Sequence, residues 1–155
     1  MARIDTPLLI TGGGPAAVVV ARLASEASVA STLIGHDGIA DPDPQPPQAL
    51  EAAAADALGP GLEVLRPYLV VADPPTIDPG VFEAVLRHHC IADMNVTVFD
   101  NLRLEGTLGL DAVVTDGRIR WEVTADAHID TSAMPTDIDG AVTAAHRAVV
   151  GILGG

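Results

Sequence analysis

Apolar runs separated by glycine-rich segments open the chain, and they predict a strand, a helix and a second strand. The run from Pro7 to Thr11 stops at glycines, which indicates a buried strand. Ala16 to Ser25 is apolar almost all round behind Pro15, which is typical of a buried helix with proline at its first turn. Ser31 to Ile34 is a second short strand that ends at Gly35. This order predicts a parallel βαβ unit.

The pattern changes in the middle of the chain. Ile39 to Gln48 holds prolines and aspartates, which predicts an exposed loop. Ala49 to Leu58 is helix-forming and stops before a Gly-Pro-Gly sequence. Tyr68 to Ala72 predicts a strand or a buried extended segment. Asp78 then caps a helix that is expected to run to about Ile91.

From Val96 onward the hydrophobic period shortens to two residues. Val96 to Phe99 predicts a strand, Leu102 to Val123 predicts a β-meander, and Ala127 to Asp130 predicts a last short strand. Asp137 to Leu153 has one apolar face and predicts a closing helix. The whole pattern predicts one α/β domain over residues 1–155, with three layers, a parallel sheet and a β-meander.

Charge and composition exclude several kinds of function. The formal net charge is −13 and all 8 basic residues are arginine, so nucleic acids and membrane surfaces are not expected partners. The lack of lysine excludes a phosphate-binding lysine and Schiff-base chemistry. Cys90 is the only cysteine, and no segment has the pattern of a signal peptide or a membrane span, so a cytoplasmic location is expected.

A glycine motif joins the first strand to the first helix, and its residues are Gly12, Gly13, Gly14, Pro15, Ala16 and Ala17. It fits the pattern G-x-G-x-x-A: Gly12 allows the tight turn, Gly14 lets the backbone approach a pyrophosphate, and Ala17 lets the helix pack on the strand. The N-terminus of the helix would present N–H groups to the anion. The alternative is a tight turn that binds nothing.

The motif and the later meander resemble the flavoprotein oxidoreductases of the glutathione reductase-like and aromatic hydroxylase-like kinds. In that family the glycine loop binds the pyrophosphate of FAD, so the resemblance implies a Rossmann-like FAD/NAD(P)-binding domain, with FAD favoured over NAD(P). Val113 to Arg118 looks like the family's meander turn. Ala127 to Asp130 falls at the family's second FAD motif, and Ala141 to Gly151 resembles the helix after it.

Three departures from the family pattern concern the candidate site. The family's acidic residue for the adenosine ribose falls at about Gly35 here, followed by His36 and Asp37, and Asp37 is the candidate replacement. Ile129 stands where the family has glycine, before Asp130. The chain is also too short for the additional domains of the reductases. The resemblance therefore implies cofactor contacts from His36, Asp37 and Asp130, besides the glycine motif, in a minimal or degenerate domain.

Two functions remain open at this point. The first is a dinucleotide-binding domain of a flavin-dependent oxidoreductase that needs a partner for full redox chemistry. The second is a non-catalytic descendant of the fold that acts as a structural or regulatory subunit. A homo-oligomer or a partner subunit is expected in either case, and the apolar closing helix is the candidate interface. No catalytic residue is identified.

His88, His89 and Cys90 are three consecutive residues of types that bind metals. Adjacent residues on a helix point about 100° apart, so these three side chains are poorly placed to share one ion. The favoured interpretation is two histidines near the end of a helix beside a buried cysteine, and no metal site is predicted.

Overall fold

The structure is a computed structural model, and it describes residues 2–35, 46–108 and 111–154. The described residues form eight strands: β1 Ala2–Thr11, β2 Ser31–Ile34, β3 Gln48–Ala49, β4 Thr76–Ile77, β5 Val96–Phe99, β6 Arg103–Leu108, β7 Asp111–Thr115 and β8 Arg120–Asp130. They also form five α-helices and a 3-10 turn: α1 Gly14–Glu26, α2 Ala52–Leu58, α3 Gly61–Leu65, the turn Arg66–Tyr68, α4 Pro79–Ala92 and α5 Ile138–Leu153.

One six-stranded sheet organises the molecule, in the order β5-β2-β1-β8-β7-β6. The first four strands of that order are parallel, and β7 and β6 extend the sheet as an antiparallel meander. β1 pairs with β8 from Ala2 to Thr11, and with β2 from Leu8 onward. These features confirm the predicted α/β class with a parallel sheet and a β-meander.

Two hydrophobic clusters stabilise the sheet, because consecutive residues of a strand point to opposite faces. Leu8 and Ile10 of β1 belong to the larger cluster, which contains most of the buried apolar residues of α1, α2, α4 and α5. Leu9 belongs to a smaller cluster, in which β2 packs with residues of the meander. The run from Ala16 to Ala21 in α1 is fully or almost fully buried, which agrees with the prediction of a buried helix.

The boundaries of β2, β5 and α4 follow the sequence closely. β2 and β5 span the predicted residues, and α4 extends one residue beyond Ile91. Asp78 caps α4 as predicted, since its carboxylate accepts hydrogen bonds from the N–H groups of Gly80 and Val81 at 2.8 and 3.1 Å. α5 begins after Asp137, whose carboxylate accepts from Gly140 N–H. An acidic cap thus begins both helices.

The prediction for Tyr68 to Ala72 was wrong. Tyr68 ends a 3-10 turn, and of the residues after it up to Ala72 only Val70 forms a bridge, with Thr76. Val71 is 98% exposed. Pro67 lies in the turn before the segment and Pro74 and Pro75 follow it, so the stretch that could form a continuous ladder is short.

Three further boundaries differ from the predictions. β1 begins at Ala2 rather than Pro7, and Pro7 is tolerated because β1 has one partner strand before Leu8. The helix predicted from Ala49 begins at Ala52, after the short strand β3, and α3 follows it directly. Ala127 to Asp130 is not a separate strand, because it continues β8 without a break.

The closing helix α5 packs into the core of its own chain, whereas the sequence predicted it as an interface with another chain. The buried residues of α5 include Ile138, Val142 and Val149, and they belong to the larger cluster of the same chain. Its main apolar face is therefore unavailable to another copy, although Val150 and Leu153 are about half exposed. Oligomerisation remains a prediction. Among the described helices, none combines the length and the apolarity needed to cross a membrane.

Asp93 links α1 to the segment between α4 and β5. Its carboxylate accepts hydrogen bonds from Ser25 Oγ and from Arg22 Nη1, the latter at 2.7 Å. The Ser25 hydroxyl, with additional contributions from the Asn95 N–H and Arg22, lowers the pKa of Asp93 below the usual range. The ionised carboxylate therefore stabilises the folded chain.

This pKa shift predicts an acid-sensitive contribution to stability. Because the pKa of Asp93 is lowered by folding, its contribution is complete above the usual aspartate pKa of about 3.9 and is lost as the pH falls through the lower folded value. Urea unfolding between pH 7 and pH 3 measures this dependence. The substitution Asp93→Asn is expected to lower stability at pH 7 and to flatten the acidic part of the profile. An unchanged profile would show that Asp93 contributes nothing there.

Candidate functional site

The glycine motif forms the turn between β1 and α1, as its position in the sequence predicts. Gly12, Gly13 and Gly14 have φ angles of +104°, +64° and +78°. Residues with a side chain rarely adopt such angles, so three consecutive glycines are what this path requires. Ala16 and Ala17 lie behind them in the first turn of α1 and are buried, which allows the helix to pack closely on the sheet.

Gly12 lies against the segment that follows β8. A Cβ atom at Gly12 would stand 2.4 Å from the Ser132 nitrogen and 2.9 Å from the Thr131 nitrogen. Both are backbone atoms that cannot rotate away. Glycine at this position therefore permits close contact between two parts of the chain, as well as the tight turn.

Thr131 holds this contact in place. Its N–H donates to the Thr11 carbonyl at 2.8 Å. Its hydroxyl lies 3.0 Å from the same carbonyl oxygen and 2.8 Å from that of Gly13. Thr131 is buried. Thr131 was not among the residues predicted for the site, because a threonine after a strand carries no distinctive signal.

Gly14 has a different environment from Gly12. A Cβ atom at Gly14 would meet no described atom within 4 Å. No described side chain caps the start of α1, and its first turn contains no acidic residue. The N-terminus of α1 therefore presents its N–H groups and its positive dipole end without a competing carboxylate in that turn.

A cavity of about 250 Å³ lies beside this turn, and it is lined by Thr11, Gly12, Ile34, Gly35, Leu104, Asp130 and Ser132. It brings together the ends of β1, β2 and β8, which is where parallel α/β sheets bind ligands. Of the sequence-predicted site residues, the cavity contains Gly12 and Asp130.

Asp130 is the charged residue of this lining. Its carboxylate accepts the Ser132 N–H at 2.9 Å. This hydrogen bond is the main reason that the pKa of Asp130 lies below the usual range, and the nearby His128 lowers it further. Asp130 is therefore a carboxylate at neutral pH, able to accept hydrogen bonds from hydroxyl groups but unsuited to act as a general acid.

Gly35 directly follows β2, near the place where the resemblance predicts the ribose-binding residue. Its φ angle is +76°, and its N–H donates to the Leu102 carbonyl at 3.0 Å. A Cβ atom there would lie 3.8 Å from the nitrogen of Gly12. The end of β2 is thus close to the glycine motif. His36 and Asp37 lie outside the described residues, and their role stays a prediction.

Ile129 and His128 point away from one another along β8. Ile129 is buried in the larger hydrophobic cluster rather than in the cavity lining, so the exchange of the family's glycine for isoleucine does not fill the described cavity. His128 Nε2 lies 2.7 Å from the hydroxyl oxygen of Thr11. This pair joins β8 to the last residue of β1, directly before the glycine motif.

The residues His88, His89 and Cys90 lie near the end of α4. The two imidazole rings are 6.0 Å apart and nearly perpendicular. Cys90 is fully buried with Sγ 3.8 Å from the Val18 carbonyl, and burial raises the pKa of its thiol to about 12. Within residues 2–35, 46–108 and 111–154 there is no group of three or more His, Cys, Asp or Glu side chains arranged to hold a metal.

Comparison with known proteins places the chain by its fold. No family model matches it, and no curated protein matches it. Among solved structures, it is similar to the p-nitrophenol 4-monooxygenase PnpA from Pseudomonas putida DLL-E4, at 16% identity and a TM-score of 0.64 over 84% of this chain and 41% of that one. The flavin-dependent monooxygenase PieE, solved in complex with FAD and substrate, has 14% identity and a TM-score of 0.66 over 83% of this chain and 30% of its own.

RebC soaked with K252c is also similar, with 15% identity and a TM-score of 0.62 over 84% of this chain and 33% of that chain. At such identities the likeness establishes the fold and not the activity. The chain therefore has the Rossmann-like fold found in flavin-dependent monooxygenases, and it spans between 30% and 41% of the length of these three.

Proposed function

We propose that this chain is an FAD-binding domain, in which the glycine motif holds the pyrophosphate. The observation that carries the proposal is the glycine turn, where the space beside the Gly14 Cα is empty at the start of α1, which no described side chain caps. Pyrophosphate oxygens would accept hydrogen bonds from the free N–H groups there, and the helix dipole favours their negative charge. FAD, when bound, would supply the redox chemistry.

The other described residues of the cavity suit the remainder of such a ligand. The ionised Asp130 would accept hydrogen bonds from sugar or ribityl hydroxyls, and Ser132 adds a hydroxyl of its own. Thr131 would act through the backbone by holding the glycine turn against β8. His36 and Asp37, which follow β2, are proposed as the contacts to the adenosine ribose.

A partner would complete the redox function. The chain spans less than half the length of the three solved structures that share its fold, and Asp130 in the described cavity is unsuited to proton donation because it is ionised. We therefore propose that substrate binding and the remaining chemistry come from another domain or subunit, as a cytoplasmic assembly.

The ionised state of Asp130 also favours a second candidate function, that of a non-catalytic nucleotide-binding or structural subunit. The two candidates differ in what the protein does after binding, and a test of flavin reduction separates them. An FAD-loaded protein whose flavin is reduced by NADH or NADPH, alone or with its partner, supports the oxidoreductase. An FAD-loaded protein that no donor reduces supports the second candidate.

Gly14→Val tests the site itself. Valine at φ +78° is strained and places three carbons where the pyrophosphate would approach the helix. We expect the variant to bind FAD at least tenfold more weakly than the wild type, measured by titration of flavin fluorescence and by the shift of Tm with FAD. The matched control is Gly106→Val, at an exposed strand position that has no described atom within 4 Å of an added Cβ.

Competition by ADP and by riboflavin tests which part of FAD the protein binds. ADP contains the pyrophosphate and riboflavin does not, so ADP is expected to compete with FAD and riboflavin to compete poorly. Wild-type protein that is colourless and gains no stability from FAD, NAD or ADP would contradict the proposal. Equal binding by Gly14→Val and Gly106→Val would place the ligand elsewhere.

A further inference from the structure

A second and larger cavity, of about 550 Å³, lies at the opposite end of the sheet from the glycine motif. Its lining contains three of the 8 arginines of the chain, Arg103, Arg118 and Arg120. Ala2 also lines it. Since β1 runs from Ala2 to Thr11, the lining residues that β1 contributes to the two cavities are roughly 30 Å apart. On β6 the two linings come closer, because Leu104 lines the cavity beside the glycine motif and Arg103 lines this one. Its volume is within the usual range of small-molecule sites, about 300–1,000 Å³.

The meander positions these arginines side by side. Arg103 of β6 is paired with Thr115 of β7, which is paired in turn with Arg120 of β8. Residues directly opposite one another in neighbouring strands project to the same face. Arg103 and Arg120 therefore flank Thr115 on one face, roughly 10 Å apart at the backbone. Arg118 lies in the turn between β7 and β8.

The turn itself leaves room for a guanidinium group. Gly117 has a φ of +98°, and a Cβ atom there would stand 3.8 Å from Arg103 Nη2. The Thr115 hydroxyl donates to the Ile119 carbonyl at 2.8 Å and accepts the Gly117 N–H at 3.0 Å. These bonds fix the turn beside the cavity.

Two acidic residues face this group of arginines, and neither neutralises all of it. Glu105 forms a two-point ion pair with Arg120, with contacts of 2.8 and 2.9 Å. Asp116 accepts the N–H groups of Arg118 and Ile119, both at 2.8 Å, so its carboxylate is engaged in the turn. The hydrogen bond from Ile119 is the main cause that lowers the pKa of Asp116, and the charge of Arg103 lowers it further. Within the described part of the chain, Arg103 and Arg118 have no ion pair of their own.

We propose that this arginine cavity binds the oxyanion group of a small dianionic ligand, a phosphate ester or a dicarboxylate. Arg103 and Arg118 would supply guanidinium groups that form no direct ion pair among the described residues, and such groups bind oxyanions in a bidentate manner. Arg120 is held in place by Glu105 and forms the third side. Ala2 and the half-exposed Ile119 would contact a short apolar portion of the ligand.

The cavity is unusual for this protein because the remainder of the chain is strongly acidic. Setting aside Arg103, Arg118 and Arg120, the chain has 5 basic residues against 21 acidic ones, since 3 of the 8 are in the cavity. Guanidinium groups placed together repel one another, and a bound dianion would relieve that repulsion. The proposal is independent of the glycine motif, since the two sites share no lining residue.

The fluorescence of Trp121 can report the binding of an anion in the arginine cavity. Trp121 is the only tryptophan, it follows Arg120, and it is paired with Ala2 across β1 and β8. We would titrate the purified full chain at low ionic strength with inorganic phosphate and separately with succinate, recording tryptophan fluorescence and heat, with sodium chloride at matched ionic strength as the blank. Saturable binding of phosphate alone indicates a phosphate ester, and binding of succinate alone indicates a dicarboxylate.

The double substitution Arg103→Gln with Arg118→Gln is expected to weaken this binding by about tenfold or more. The control Arg147→Gln removes an exposed arginine of α5 and should leave binding unchanged, and Gly14→Val should also leave it unchanged. Circular dichroism verifies that each variant is folded. The proposal is overturned if neither anion binds saturably, or if Arg147→Gln weakens binding as much as the double substitution.

Discussion

Replacing Gly12 by alanine is expected to destabilise the protein by about 2–6 kcal/mol, which is a large part of the total stability of an ordinary domain. The new Cβ atom would stand 2.4 Å from the Ser132 nitrogen. Overpacking of this kind costs about 1–3 kcal/mol, and a side chain at φ +104° adds about 1–3 kcal/mol of strain. Urea unfolding at equilibrium measures the change.

Gly151→Ala is the matched control for Gly12→Ala. Gly151 lies in α5, is exposed, and has no described atom within 4 Å of an added Cβ. Alanine favours a helix over glycine by up to about 1 kcal/mol, so this variant is expected to be slightly more stable than the wild type. A loss below 1 kcal/mol for Gly12→Ala would mean that the segment after β8 is free to move away from the glycine turn.

Phe82→Ala is expected to cost about 3–5 kcal/mol, because it leaves a cavity among residues that cannot close over it. Phe82 is fully buried on α4, in the larger hydrophobic cluster that α1 and α5 also line. Thermal and urea unfolding measure the loss. Few aromatic residues are available to this core, since the chain contains only 2 phenylalanines, so the volume of this ring is not easily replaced.

Val71→Ala tests whether the loss of stability depends on the burial of an apolar side chain or only on its hydrophobicity. Val71 is 98% exposed, and its truncation is expected to change stability by no more than about 0.5 kcal/mol. Equal losses for Phe82→Ala and Val71→Ala would contradict the assignment of the core given above.

These two side chains also show what the sequence can and cannot predict. Phe82 lies on a helix whose apolar positions recur at the helical period and whose start is marked by Asp78, so its burial follows from local signals. Val71 belongs to an equally apolar run, but the parallel sheet ends at β5 and offers this run no place. Apolar composition makes burial favourable, whereas the sheet order decides which runs are buried.

The glycine motif of the candidate site was also predictable from local signals, whereas its contacts with distant parts of the chain were not. Gly12, Gly13 and Gly14 stand between a strand and a helix, and their spacing carries the information. The contribution of Thr131 depends on a segment that packs against the loop from far along the chain. No local pattern specifies that contact. The strand β8 was predicted as two pieces, one ending at Val123 and one beginning at Ala127, and the alternation of their residues does not reveal that the continuous strand pairs with β1.

The pairing of β1 with β8 determines when the glycine turn can acquire its shape. Thr11 and Thr131 are 120 positions apart, so the contact that holds the turn exists only after Thr131 has been synthesised. At a synthesis rate of about 5–20 residues per second, roughly 6–24 s pass on the ribosome between the addition of Thr11 and that of Thr131. During that interval Leu8, Leu9 and Ile10 lack the β8 neighbour that later covers their edge. The long sequence separation of the β1–β8 pairing raises the contact order of the domain, and we expect it to slow folding and to leave this edge exposed until β8 pairs.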